Sequence, residues 1–420
     1  METSMLGDSL TGLKVLDFSH VLAGPVASMT LADLGAHVVK IEPLDGEIGR
    51  CIGPPWLNGE SPTFMSVNRN KRSLAVDLKS PEGRAAIQKM ARSADVIIEN
   101  FRPGVMDKLG LGFASLSEQN PRLVYCSISA FGQEGPLSSR PGVDGIIQAV
   151  SGLMSTLGEQ GSPPAKVPTP IADMVTGYLA TIAVLAALRR ARTERGGQHL
   201  DVSLYNATIM LQQASFAAYF ASGKEPERSG SAAPYACPNE AYPTADGWIM
   251  VVAYHPARWR ALCELLALAD DVSDDRFSTN DGRVANRDAL REILSERFRA
   301  RTTAEWVDSL TARDIICAPV LSYDQVMASP EYASSHLSCE VEHPVAGRLR
   351  THRFALGPQH ESNEVDEWPT PAPVTGQHTA EVLSLYGMRD DEIEELIRCG
   401  AVLDTSTRVA PPYQMEMDSL

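Results

Sequence analysis

The chain predicts an α/β protein organised on an open, largely parallel sheet. Three observations carry this. Strand-length apolar runs alternate with helix-length segments through the first 130 residues, the spacing of βαβ units. The helix of the first unit is stopped by a glycine, Gly35. A long apolar run from Tyr178 to Leu188 then supplies a helix able to cover a buried sheet.

Taken in order, residues 1–10 are a polar lead-in and Leu13 to Phe18 reads as a strand. Ser19 to Pro25 turns the chain, Val26 to Leu34 reads as a helix, and His37 to Glu42 is the second strand. The pattern recurs with a strand at Ser73 to Leu78, a helix at Pro81 to Arg92, and strands at Asp95 to Glu99 and Leu123 to Ile128. In such sheets ligands collect at the carboxyl ends of the strands. Gln198 to Leu204 is a further strand, and Asn206 to Ser222 reads as one helix. Residues 223–239, rich in Gly, Ser, Pro and Ala, form a linker. Asp246-Gly247 between two apolar runs marks a hairpin, followed by helical segments around Trp259 to Leu268, Asn286 to Ala300 and Thr303 to Ala312. Cys339 to Leu356 is strand-rich, His378 to Gly400 reads as a helical hairpin, and 405–420 as a frayed tail.

Composition narrows the function. A formal net charge of −16 argues against nucleic-acid binding, which needs basic surface. A hydrophobic content of 44% and 420 residues suit more than one domain with a real core. The seven cysteines form no CxxC pair, so neither zinc nor a dithiol motif is indicated. Their odd number, without a signal-peptide pattern, fits a reducing cytoplasm. The apolar run from Tyr178 to Leu188 is shorter than a bilayer requires. The first turn carries Gly24 but no GxGxxG, so Glu42 is not read as the ribose-binding acid of a dinucleotide site.

The stretch of greatest chemical interest is Pro168-Thr169-Pro170-Ile171-Ala172-Asp173-Met174-Val175-Thr176-Gly177. Pro170 and Asp173 are helix-start signals, and Arg189, Arg190 and Arg192 suit the helix end. Asp173 is either an acid favoured by the helix macrodipole or a carboxylate held at a cleft as a nucleophile. Local spacing leaves both open.

Over nearly its whole length the chain resembles the family III CoA-transferases, which include formyl-CoA transferase, carnitine CoA-transferase and the bile-acid-inducible transferase. The matching stretches are Leu13 to Phe18 with Ala23-Gly24-Pro25, Leu34 to Glu42, Asn70-Lys71-Arg72-Ser73 with Asp77-Leu78-Lys79, Glu99 to Gly104, the Asp173 stretch, and the hairpin around Asp246-Gly247. The resemblance implies that Asp173 is a catalytic nucleophile, passing through an anhydride and an aspartyl-CoA thioester. It implies CoA contacts at Leu22, Ala23, Arg72, Leu78, Lys79, Asn100, Phe101, Arg102, Lys108 and Ala130, with Lys71 a further cation near the phosphates. It implies acyl-CoA as substrate, a small carboxylic acid as its partner, no tightly bound cofactor, and an interlocked homodimer. The expected architecture is a Rossmann-like large domain built from 1–222 and 325–420, with a small α+β domain and its linker at 223–324.

Departures bear on specificity. The formyl-CoA transferase branch has Gln at the position of Leu22 and Arg at that of Pro43, a charge Arg50 could replace. Its glycine-rich loop corresponds here to Gly230 to Asn239, which lacks the glycine run, and this argues against an oxalate/formyl specificity. The α-methylacyl-CoA racemases share the resemblance, but their catalytic His falls where this chain has Val143, which carries no proton. His20, the nearby alternative in sequence, reads as a turn residue. A non-catalytic CoA-ester-binding protein is the remaining alternative.

Overall fold

The computed structural model describes residues 6–191, 196–268, 275–356 and 369–406. The chain forms two compact units, one of 1–151, 167–213 and 333–420, the other of 152–166 and 214–332.

The large unit is built on seven strands. These are β1 (Lys14–Asp17), β2 (His37–Glu42), β3 (Lys71–Val76), β4 (Val96–Glu99), β5 (Val124–Ser129) and β6 (Gln198–Ser203), with β12 (Val402–Leu403) closing one edge. The order is β12-β3-β2-β1-β4-β5-β6. The first six are parallel, and β12 pairs antiparallel with β3, Val402 opposite Val76. Strand order reverses between β1 and β4, so a crevice opens where their carboxyl ends diverge.

Both faces of the sheet are covered, and the strands show why. Leu16, Val39, Leu74 and Ile97 face one core with Ile87, Met90, Val382 and Ile393. Val15, Val38, Val96 and Ile98 face the other with Ala27, Leu31, Ala180 and Val184. Successive residues point to opposite faces, so continuous apolar runs are what a doubly covered sheet requires. The second core is roofed by two helices, Ala23–Asp33 and Ile171–Ala191. The latter is 21 residues long, longer than its apolar run suggests, and buries Ala180, Val184 and Ala187 in the unit.

Several elements differ from the sequence reading. The first helix begins at Ala23, so Pro25 sits in its first turn, where its missing N–H costs nothing. The expected helix at Asn206 to Ser222 is two, Leu204–Leu211 and Gln213–Ser222. Between them Gln212 donates through Nε2 to the carbonyls of Thr208 and Ser151. The tail forms helices Thr379–Leu385 and Asp390–Arg398, and 407–420 lie outside the described residues. The strand-rich stretch is a hairpin of β10 (Ser338–His343) and β11 (Gly347–His352).

The second unit holds β7 (Asn239–Pro243), β8 (Trp248–Val252) and β9 (Ile316–Pro319) in one antiparallel sheet. Tyr242, Ile249, Val251, Leu262, Leu290, Leu294, Phe298 and Trp306 form its core. Its limits fall at 213/214 and 332/333, not at 222/223 and 324/325, and it takes in 152–166. The reason lies in Gly230 and Arg228, whose Gly230 N–H and Arg228 Nε bond to the carbonyls of Gly158 and Ser155.

Candidate active site

The crevice between β1 and β4 is shaped by the turn Ser19 to Leu22. Asp17, at the end of β1, accepts the Ser19 N–H (3.0 Å), the Ser28 hydroxyl (2.6 Å) and Lys71 Nζ (3.0 Å). Burial opposes its charge, but Lys71 and Lys40 hold the carboxyl far below the usual range. Lys40 Nζ donates to the Ser19 carbonyl (2.8 Å), and Asn100 grips His20 from the end of β4. Val21 takes φ 68°, an unusual conformation for a β-branched residue, with its N–H held by Glu47. Burial first and then Lys40 push the His20 imidazole below its usual range, and its ring meets Phe101 edge-on at 4.9 Å.

A cavity of about 530 Å³ lies beside this turn, lined among others by His20, Leu78, Lys79, Phe101, Val105 and Lys108. The structure therefore brings together four of the expected contacts, Leu78, Lys79, Phe101 and Lys108. Asn100 shapes the cavity through His20, and Arg102 is exposed on the loop beyond Phe101. Ala130 packs beneath the turn at Gly142, whose pro-Cβ position lies 2.8 Å from the Ala130 Cβ.

Two cations expected near the phosphates, Arg72 and Lys71, are placed elsewhere. Arg72 is the second residue of β3, at its amino end, and pairs with Glu381 (2.9 Å) beside a different cavity lined by His37 and His378. Leu78 and Lys79 follow the carboxyl end of the same strand, which is why they reach the crevice and Arg72 does not. Lys71 is fully buried, bonded to Asp17, Asn68 (2.8 Å) and the Pro25 carbonyl (3.0 Å). Arg50 does not stand in for the charge at Pro43, because it clasps Glu42 with Nε (2.8 Å) and Nη2 (2.7 Å) and stacks on Phe64. Glu42 is fully engaged by Arg50, Ser73 and the Glu47 N–H, which closes it to a ribose.

Asp173 lies in the first turn of helix Ile171–Ala191 and is 9% exposed. One turn on, Gly177 meets the other roof helix so closely that a Cβ there would fall 2.6 Å from Val26 Cγ1 and 2.7 Å from the Ala23 carbonyl. Met174 and Leu22 both pack against the small cluster of Val26, Met29 and Val67. Leu22 and Ala23 thus stand at the helix start that carries Asp173. The sequence reading expected the helix N-terminus to favour an ionised Asp173. The structure reverses the sign, because burial and the charge of Asp144 push its carboxyl up to about 7.

Asp144 is the site residue that sequence reasoning missed. It opens the helix Asp144–Val150, and its Oδ2 accepts the Ala172 N–H at 2.8 Å. The available signal was Asp144 and Gln148 at i and i+4, a pair that shares a helix face. Val143, beside it, is 66% exposed and caps that helix through its backbone alone.

Comparisons with known proteins identify the family. The model of CoA-transferase family III matches residues 10–379. Human succinyl-CoA:glutarate CoA-transferase is 36% identical over 395 residues, covering 94% of this chain and 90% of that one. Succinyl-CoA:mesaconate CoA-transferase of Haloarcula marismortui is 33% identical over 391 residues, covering 90% and 97%. A crystal structure of a CAIB/BAIF family protein from Brucella suis superposes with a TM-score of 0.79 at 32% identity, covering 90% of this chain and 98% of that one. The chain belongs to CoA-transferase family III and is an enzyme that moves CoA between acyl groups.

Proposed function

We propose that the enzyme moves CoA from an acyl-CoA donor to a free carboxylic acid through covalent intermediates on Asp173. The observation that carries this is a buried carboxylate in the first turn of a helix, beside the Leu22 turn of the crevice. A carboxylate oxygen of Asp173 attacks the thioester carbonyl, the C–S bond breaks, and CoA leaves as the thiolate, giving a mixed anhydride. The thiolate then attacks the aspartyl carbonyl, releasing the donor acid and leaving an aspartyl-CoA thioester. The acceptor acid takes CoA by the same steps in reverse. Burial keeps water from either intermediate.

The cavity at His20, Leu78, Lys79, Phe101 and Lys108 suits the nucleotide end of CoA, with Lys79, Lys108 and Arg102 available to its phosphates. The names of the relatives pair succinyl-CoA with glutarate or mesaconate, and we read the substrates here as small dicarboxylates. Val143 supplies no second base, which argues against racemisation at the α-carbon.

A second copy of the chain completes the enzyme in this reading. Tyr178 and Ile182 lie exposed along the Asp173 helix and join Leu22, Met29 and Met174 around an apolar groove of about 1070 Å³. An interlocked homodimer would cover it, and sedimentation equilibrium distinguishes dimer from monomer.

The central test is chemical trapping. Mixing the enzyme with succinyl-CoA and quenching with hydroxylamine should leave a hydroxamate on the peptide bearing Asp173, and borohydride should reduce the thioester there to an alcohol. Asp173→Asn should lose nearly all transfer, scored by mass of the product CoA esters. Substantial turnover by that variant, with no adduct in the wild type, would remove Asp173 as nucleophile.

A further inference from the structure

We propose that Asp144 is a positioning residue that, braced by Gln148, closes off the N-terminus of the Asp173 helix and leaves the Asp173 carboxylate the more reactive for it. This rests on the reading of Asp173 as nucleophile.

The geometry is a clamp. Asp144 is 8% exposed and Gln148 is 0% exposed. Asp144 Oδ2 takes the Ala172 N–H at 2.8 Å, and Oδ1 takes Gln148 Nε2 at 2.6 Å. The same Nε2 donates to the Val167 carbonyl (3.1 Å), and Gln148 Oε1 accepts the Val167 N–H (2.9 Å). The stretch 167–172 is therefore stapled at both ends, and Asp173 follows immediately.

The clamp also decides which carboxylate gains from the helix. The N–H groups of a helix start stabilise nearby negative charge. Here that of Ala172 is committed to Asp144, so Asp173 sits beside a fixed anion without this donor. Among the described residues, burial and then the charge of Asp144 are what raise the Asp173 carboxyl. The covering helix offers no titratable side chain from Ala23 to Ala32, and Asp33, at its far end, is paired with Arg69. Tyr205 is the titratable residue of helix Leu204–Leu211. On the strands beneath, Asp201 acts on Glu99, Cys126 and His199.

The chemistry needs this arrangement. An ordinary carboxylate is far less basic than a thiolate, so its attack on a thioester runs uphill. Crowding Asp173 against Asp144 narrows the gap, each unit of basicity counting about tenfold in the equilibrium. When the C–O bond forms and the C–S bond breaks, the charge departs with the thiolate. Asp144 then faces a neutral anhydride, and the repulsion present in the free enzyme is gone.

The test is Asp144→Asn, whose amide oxygen can still accept from Ala172 but carries no charge. The acid limb of kcat/KM should move down by about one unit or more. The plateau kcat should fall about tenfold with KM changed less, and Asp144→Glu should restore the limb towards its wild-type place. Carboxyl ¹³C NMR of wild type and variant reads the Asp173 titration without catalysis. If the limb and the NMR titration stay put in the folded variant, the inference is overturned, and adduct trapping on wild-type Asp173 separately decides the nucleophile. Should Asp144→Asn not fold, Asp144→Ser keeps a hydroxyl acceptor for Ala172 and is read in the same way.

Discussion

Asn100 holds His20 by both backbone groups, its Oδ1 accepting the His20 N–H at 2.7 Å and its Nδ2 donating to the His20 carbonyl at 2.8 Å. The residues are 80 apart in sequence, and the pair ties the end of β4 to the turn after β1 across the point where strand order reverses. Asn100→Ala removes both partners at once. Backbone groups left unpaired there cost about 1–3 kcal/mol. We expect lower thermal stability and an affinity for CoA reduced about tenfold, one decade being about 1.4 kcal/mol. Calorimetric titration with CoA checks it, and an unchanged affinity would separate the turn from CoA binding.

The cations should sort by phosphate. Lys108→Ala and Arg102→Ala should each weaken CoA about tenfold if they meet its 3′-phosphate, since hydrogen bonds to charged groups contribute about 1.5–3 kcal/mol. Dephospho-CoA should bind the variants as it binds the wild type. Equal losses for both ligands would move the cation to another part of the nucleotide. Arg72→Ala should change neither affinity, because Arg72 pairs with Glu381 at the amino end of β3.

That contrast shows what was legible in the sequence. The parallel sheet was, because its inner strands are buried on both faces and read as short apolar runs, as Val96 to Ile98 do. Asp173 was, because Pro170 and the apolar run behind it mark the helix start. The fate of neighbouring cations was not. Lys71 and Arg72 are adjacent, yet Lys71 turns into a buried pair with Asp17 while Arg72 turns outward. Arg50 meets Glu42 across a loop with no periodicity to reveal it. Gln212 breaks a helix through a bond to Ser151, 61 residues away, and Asp144 reaches Ala172 over 28 residues. Tertiary partners at such separations leave no local pattern.

Gly177→Ala sets two effects against each other. Alanine favours a helix interior over glycine by about 1 kcal/mol. Its Cβ, however, would lie 2.7 Å from the Ala23 carbonyl, which is backbone and cannot rotate away, and 2.6 Å from Val26. Overpacking of this kind costs about 1–3 kcal/mol, so the net effect should be destabilising. Any relief must part the two roof helices and move Leu22 and Ala23 from Asp173. A misplacement of about 1 Å can cost on the order of 100-fold in rate. Calorimetry and steady-state transfer assays should show both losses. A variant with raised melting temperature and full activity would mean that the helices do not need this closeness.

Asp173 itself should weaken the fold that carries it. Its carboxyl is raised to about 7, while in the unfolded chain it titrates near 3.8. Below the unfolded value both states hold the proton and Asp173 costs nothing. As pH rises from there towards 7, the unfolded chain releases a proton that the folded one retains, so stability falls. Above 7 both are ionised, and the penalty of a buried charge beside Asp144 is complete. At about 1.36 kcal/mol per unit the upper bound is about 4 kcal/mol, and relaxation of the site brings the expectation to about 1–3 kcal/mol. Asp173→Asn keeps the size without the charge. It should therefore be inactive and, at pH 8, more stable than the wild type. The gap should shrink steadily as pH is lowered and close near pH 4. Glu99, also raised to about 7 by burial, is present in both proteins and cancels in the difference. Denaturant titrations of both proteins between pH 4 and pH 8 measure that difference. A variant no more stable than the wild type at pH 8, or a gap independent of pH, would show that Asp173 is not held as a buried charge and that its reactivity has another source.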